Sequence, residues 1–264
     1  MPNTQLSAAL SVAALVLGGA VSILSSGERA AEAEPSGPPL STPIVVELFT
    51  SQGCSSCPPA DRLLAQLSAD PAWRDRVVPL SLHVDYWNYI GWQDPFSSAA
   101  YSERQQLYGR AFDSDRIYTP QAVVHGVTDC LGSDRSCLER AIRKAEARAP
   151  EWKLTLALTA PTEQTLRAEV RAQPIGTPTG PRPALFVVLT ENGLSTPVSR
   201  GENARRTLEN SHVVRHLERR SFENGQPVLV DLPLEAGWNR SQLQVSAFLQ
   251  EPGTMRIVGA GRGR

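Results

Sequence analysis

Cys54 and Cys57 stand three residues apart in the run Gly53-Cys54-Ser55-Ser56-Cys57-Pro58-Pro59. Two cysteines at this spacing can close an internal disulfide and open it again by thiol–disulfide exchange. Residues 44–50, Ile-Val-Val-Glu-Leu-Phe-Thr, read as a buried strand ahead of the pair, and 58–67 read as a helix with prolines in its first turn, where proline is tolerated. A cysteine at such a helix start meets free amide N–H groups and the positive end of the helix dipole, which favour its thiolate. Cys54 is therefore the expected nucleophile and Cys57 the resolving thiol. Glu47, inside the apolar strand, is a candidate proton carrier beneath the sulfurs, its pKa raised by burial; an edge position facing water is the alternative.

Thr119-Pro120 precedes a short strand, Gln121 to His125. A cis bond here, placed beside the cysteine pair, offers the Thr119 backbone to an extended substrate; a trans proline opening an edge strand is the plainer reading. All five tyrosines lie between 86 and 118, together with Trp87, Trp92, Phe96 and Phe112. They either pack an added helix on the sheet or form an apolar wall that receives substrate, with Trp87 and Trp92 the nearest candidates. His83 and Asp85 share a strand face and could bond each other or bind a metal. Cys130 and Cys137 are seven apart in an expected loop. Four cysteines allow three pairings, of which 54–57 with 130–137 is the simplest. The second pair is either a staple worth about 2–3 kcal/mol or a relay for oxidation of Cys57. His212 and His216 lie in an arginine-bearing segment that reads as a solvated hairpin or a docking surface.

The elements that must position these groups follow in order. Val77 to Asp85 is a second strand, one helix after the first, which predicts a parallel βαβ crossover. A helix of about fifteen residues is expected from Ser97 or Ser98, and another from Leu138 to Arg148. From Trp152 the hydrophobic period changes from 3.6 to 2. Residues 152–159, 166–172, 184–190, 213–217, 227–232, 243–249 and 255–260 all read as strands, with turns such as Asn192-Gly193 and Asn224-Gly225 among them. The expected fold class is an α/β thioredoxin-like domain over 44–150, with an aromatic-rich insertion at 86–118, followed by an all-β, sandwich-like domain over 151–264.

The chain has 264 residues, 41% of them hydrophobic, and a formal net charge of −1. That balance gives no general electrostatic reason to bind nucleic acid or an anionic membrane. Residues 6–24 are uncharged and apolar, and Ala31-Glu32-Ala33 follows as a possible cleavage signal. Residues 1–24 are thus expected to be a signal peptide or N-terminal anchor, with 25–43 a flexible linker. Export to a periplasmic or secreted location, with a possible membrane tether through the N-terminal segment, suits cysteines that pair.

Four stretches resemble a known family: Val46 to Asp61, His83 to Phe96, Tyr118 to Gly126 and Gly201 to Arg215. They look like the bacterial exported thioredoxin-like proteins of domain-of-unknown-function family 1223, from about residue 44 to the end. The resemblance implies a thioredoxin fold followed by a β-rich part and supplies no substrate. The expected function is exported thiol–disulfide exchange with protein thiols or disulfides, through an unknown redox partner, with no cofactor and no metal. The alternatives are a binding module with a fixed disulfide, and a soft-metal (copper) chaperone using Cys54, Cys57 and His83.

Overall fold

The computed structural model describes residues 42–263. The expected signal or anchor segment and the linker as far as residue 41 lie outside the described residues.

Strand β1 (Ile44–Thr50) is buried along its whole length, which explains its near-continuous apolar sequence: both faces are covered. Helix α1 (Pro58–Ala69) follows with prolines at its first positions. Its Ala60, Leu63, Leu64 and Leu67 pack on Ile44, Val46 and Leu48 of β1. Strand β2 (Val77–His83) runs parallel to β1, with His83 opposite Thr50. Helix α2 (Ala99–Ala111), capped by the Ser98 hydroxyl, lies on the other face, where Tyr101 and Tyr108 meet Val45 and Phe49. Strand β3 (Gln121–Val124) extends the sheet antiparallel to β1, and β4 (Thr128–Leu131) follows antiparallel to β3. Helix α3 (Arg135–Glu146) starts at the Asp134 cap and shares the α1 side of the core through Leu138 and Ile142. Cys130 lies inside β4 and not in a loop, because Ala122 of β3 recruits it into the ladder.

The remaining strands are β5 (Trp152–Thr162), β6 (Thr165–Pro174), β7 (Ala184–Glu191), β8 (Leu194–Val198), β9 (Arg206–Asn210), β10 (Val213–Arg220), β11 (Pro227–Pro233), β12 (Leu243–Gln250) and β13 (Ile257–Arg262). All seven strands expected after residue 151 are present. Two more, β8 and β9, escaped the sequence reading; both are five residues long, and β8 carries Pro197.

The chain is a mixed α/β structure with one large sheet in the order β13-β12-β7-β10-β2-β1-β3-β4. β10 pairs parallel to β2 at Val213 and Ser81, so the sheet continues from the first half of the chain into the second. A three-stranded sheet, β11-β6-β5, covers the outer face of β7 and β12, with Leu154, Val170 and Val230 against Val187 and Leu249. The inner face of β7, β12 and β13 closes over α2: Val188, Phe248 and Ile257 join the core around Tyr108.

Glu47 sits in that second core. Residues 45, 47 and 49 of β1 point toward α2, away from α1 and the cysteines, so Glu47 does not lie beneath the disulfide. Its carboxylate takes two bonds from the Arg104 guanidinium, 2.5 Å from Nε and 2.9 Å from Nη2, and one from the Tyr108 hydroxyl. Gln250 Nε2 donates to Tyr108 Oη at 2.8 Å. Burial works against the Arg104 charge, but Glu47 outweighs it and raises its pKa further. The arginine also lies over the rings of Phe186 and Phe248 at 5.0 and 5.4 Å. This pair explains how α2, whose inner face carries Ser102, Arg104 and Gln105, can be buried at all: the polar groups answer one another.

Truncating one partner leaves the other charged and alone in a dry core. Arg104→Ala should cost about 3–5 kcal/mol in urea unfolding. Arg104→Lys should cost less, since the charge stays and only the fork geometry is lost. Equal cost for both substitutions would show that the fork carries the stabilisation.

Candidate functional site

Three residues, Ser51 to Gly53, join β1 to Cys54, and one of them organises the site. Gln52 is buried, and all four of its hydrogen-bonding groups are engaged. Its N–H donates to Asp94 Oδ2 at 2.8 Å, and its carbonyl accepts from Asn203 Nδ2 at 2.9 Å. Its side-chain amide donates to Asn210 Oδ1 at 2.9 Å and accepts from Trp92 Nε1 at 3.2 Å. The loop that carries Cys54 is thus held by the 86–96 segment on one side and by the β8–β9 region on the other.

Cys54 and Cys57 are joined as a disulfide, and Cys130 with Cys137 as a second. Cys57 is the N-cap of α1; its carbonyl accepts from Ala60 N–H and Asp61 N–H at 2.8 and 3.1 Å. The free helix-tip donors expected from the sequence are few. Pro58 and Pro59 have no N–H, Cys57 N–H bonds the Cys54 carbonyl at 3.3 Å, and Ser55 N–H bonds Glu202 Oε2 at 2.9 Å. The groups beside Cys54 Sγ are the Ser56 hydroxyl at 3.2 Å and the Thr119 carbonyl at 3.9 Å. The Thr119-Pro120 bond is cis. Trp87 Nε1 donates to Thr119 Oγ1 at 2.8 Å, and Ile90 reaches the backbone at Gly53. Both cysteines are closed in, Cys54 at 1% exposure and Cys57 at 0%.

Behind the disulfide lies a polar cluster. His83 Nδ1 and Asp94 Oδ2 are 2.7 Å apart and fully buried, and Asp94 also accepts from Phe96 N–H at 2.9 Å. His83 therefore pairs with Asp94; Asp85 instead accepts from the Ser102 hydroxyl at 2.5 Å. Burial disfavours the His83 cation, yet Asp94 and Asp61 outweigh it and raise its pKa. Burial likewise works against the Asp94 anion, and His83 with the two N–H donors overcomes it, lowering the pKa. Asp61, one helical turn after Cys57, is pushed up to about 6 by burial, against the pull of His83 and Thr50. Thr50 Oγ1, Asp61 Oδ1 and His83 Nε2 are buried without hydrogen-bond partners. Such unmet groups are uncommon in folded proteins.

The structure thus gathers Cys54, Cys57, Thr119, Pro120, Trp87 and Trp92 around one point and leaves Glu47 on the other side of the sheet. Cys130 and Cys137 tie β4 to α3. The aromatic segment serves two ends: Tyr101 and Tyr108 are core, while Tyr86 and Tyr89 are exposed, Tyr89 at 83%. Sequence reasoning missed Gln52, Asp61, Asp94, Asn203 and Asn210. The one local signal was Asp61, four residues after Cys57 and so on its helix face. Among the described residues no group of three or more His, Cys, Asp or Glu is arranged to hold a metal ion, and no helix is long and apolar enough to cross a membrane. A concavity of about 710 Å³ lies at the far end of β1, lined by Ile44, His125, Arg148 and Arg256.

The Asp61 carboxyl has an ordinary value of 3.8 and about 6 in the folded chain. The folded state therefore binds an extra proton between those values. Its stabilising effect is full below pH 4 and lost as pH rises through 6. Asp61→Asn should gain about 2 kcal/mol over the parent at pH 8 and nothing at pH 4. A gain independent of pH, read by urea unfolding at both values, would contradict this.

No curated protein matches the chain. Among solved structures, the crystal structure of a protein from Agrobacterium tumefaciens is 28% identical, with a TM-score of 0.63 over 86% of this chain and 95% of that one. HBP35 of Porphyromonas gingivalis is 16% identical, with a TM-score of 0.60 over 84% of this chain and 74% of that one, a likeness of fold alone. The model of the family described as protein of unknown function, DUF1223, matches residues 45–250. The chain belongs to that family.

Proposed function

We propose that this chain is an extracytoplasmic thiol–disulfide oxidoreductase of thioredoxin-like fold, acting on cysteine-bearing polypeptides through Cys54 and Cys57. The observation that carries the reading is the Cys54–Cys57 disulfide at the head of α1, with the Thr119 carbonyl and the Ser56 hydroxyl beside Cys54 Sγ. The strand–CxxC–helix order, with α1 crossing between two parallel strands, supports the fold assignment. Two disulfides in one chain suit an oxidising compartment.

In exchange, a substrate thiolate attacks Cys54 Sγ. The Cys54–Cys57 bond breaks, and its electron pair leaves on Cys57 Sγ, which takes up a proton. Attack by a second substrate thiolate on the substrate sulfur of the mixed disulfide releases Cys54 as thiolate. The chain ends reduced by two electrons, the substrate oxidised by two. Reduction of a substrate disulfide runs the same bonds backward, with Cys54 attacking and Cys57 resolving. Ser56 Oγ–H stabilises the Cys54 thiolate. Asp61, protonated near pH 6 and on the Cys57 side of the helix, is the group to exchange a proton with the Cys57 thiol. Trp87 holds Thr119 in place, and Thr119 with Pro120 forms the wall along which substrate lies.

A second reading, a binding module braced by a permanent disulfide, is favoured by the burial of both sulfurs. The reduction potential separates the two. An exchange catalyst should lie above about −270 mV, whereas a structural bond falls below about −300 mV. Turbidimetric insulin reduction with dithiothreitol should show catalysis by the parent chain and none by Cys54→Ser. Equal rates for both chains would remove the enzyme reading.

A further inference from the structure

The segment between β8 and β9, residues 199–205, bonds the cysteine loop from a site 149 residues further along the chain. Asn203 is fully buried, and its side-chain amide donates to both the Gln52 and the Cys54 carbonyls, each at 2.9 Å. Arg206 Nη1 donates to Asn203 Oδ1 at 2.8 Å, which orients that amide. Glu202, itself exposed, accepts the Ser55 N–H at 2.9 Å. Gly201, at φ +76°, lies against Ile90 and Trp92 so closely that a Cβ there would stand 2.9 Å from Ile90 Cδ1.

These contacts share a chemical feature. The strap presents two amide N–H donors and one carboxylate acceptor to two backbone carbonyls and one backbone N–H around Cys54. An extended polypeptide presents the same groups from its main chain. We propose that the 199–205 strap is an internal stand-in for the substrate. It covers Cys54 at rest and is displaced by an extended, cysteine-bearing polypeptide segment that takes over the Gln52, Cys54 and Ser55 backbone groups. The proposal rests on the exchange reading above.

The strap is built to move. Its flanking strands β8 and β9 form a two-stranded ladder that hydrogen-bonds to neither other sheet, and such a hairpin is marginal by itself. The strap's hold on the cysteine loop runs through side chains. Lifting residues 201–203 leaves the Gln52 anchors to Asp94 and Trp92 intact, so the cysteine loop keeps its place while its face opens. Because an open site leaves the Gln52 carbonyl and the Ser55 N–H unpaired, and the Cys54 carbonyl with the Cys57 N–H alone, it favours a partner that pairs them over a small thiol that cannot.

The test reads the opening of each disulfide separately. Oxidised protein is treated with 2-mercaptoethanol or with a reduced ten-residue peptide holding one cysteine; samples are quenched with iodoacetamide, and the cysteine peptides are weighed by mass spectrometry. The reagent thiolate attacks Cys54 Sγ and Cys57 leaves as thiolate, which then takes up a proton, a mixed disulfide remaining on Cys54. In the parent chain the peptide should react at least tenfold faster per thiolate than 2-mercaptoethanol. Asn203→Ala should speed opening by 2-mercaptoethanol at least tenfold and Glu202→Ala about threefold, while opening of Cys130–Cys137 is unchanged. Equal acceleration of both disulfides would mean general loosening of the fold and would overturn the gate, as would no acceleration at Cys54. A peptide no faster than 2-mercaptoethanol would overturn the stand-in. None of these outcomes depends on insulin reduction, so loss of the exchange reading and loss of the gate are told apart.

Discussion

The buried amide and backbone of Gln52 are the fastening on which the site depends. One residue, next but one before Cys54, bonds Asp94, Asn203, Asn210 and Trp92. Two of the partners lie in the 92–94 loop and two in the β8–β9 region. A loop leading from a strand into a helix would otherwise be free to reorient its sulfurs. Here its geometry is dictated by side chains from two segments, one about forty and the other about 150 residues away. A buried polar group left unpaired costs about 1–3 kcal/mol, so each of these four bonds helps to hold the loop. The cysteine loop, the aromatic segment and the β8–β9 region meet at this residue and form one unit.

Under the proposed exchange function, that unit meets two opposed demands. Exchange chemistry needs a reachable, ionisable sulfur, yet Cys54 is almost wholly covered. The paired prolines after Cys57 remove two N–H groups from the helix tip, and Glu202 occupies the Ser55 N–H. A carboxylate so placed disfavours a thiolate nearby. On the proposed mechanism, displacement of the strap both opens the site and removes that carboxylate. In the proposed exchange, Asp61 on the Cys57 side is the group that takes and releases the proton.

What could be read in the sequence was what is local. The buried strand, the proline-led helix, the cysteine spacing and the Thr119-Pro120 step all depend on near neighbours, and the structure brings them to one point. The seven alternating strands of the second half were equally legible, because a period of two reports a half-covered sheet. What was not legible depended on long-range pairing. No local signal tells that His83 meets Asp94 and not Asp85, that Glu47 pairs with Arg104 across a sheet face, or that Asn203 bonds the Cys54 carbonyl. Alternation along β1 puts Glu47 on one of two faces, and only the placement of α1 and α2 decides which is the cysteine side. The continuation of the sheet from β2 into β10 rests on a single paired position, too little to leave a trace in composition.

The alkylation rate of Cys54 in the gently reduced protein, followed with iodoacetamide from pH 4 to pH 10 and located by mass spectrometry, tests the central claim most directly. In the Asn203→Ala chain, where the strap is released, a sulfur held ready for exchange should titrate below the free cysteine value of about 8.5. A sulfur that titrates at or above that value, or stays unlabelled throughout while the protein remains folded, would show that Cys54–Cys57 is a brace and not a reactive bond.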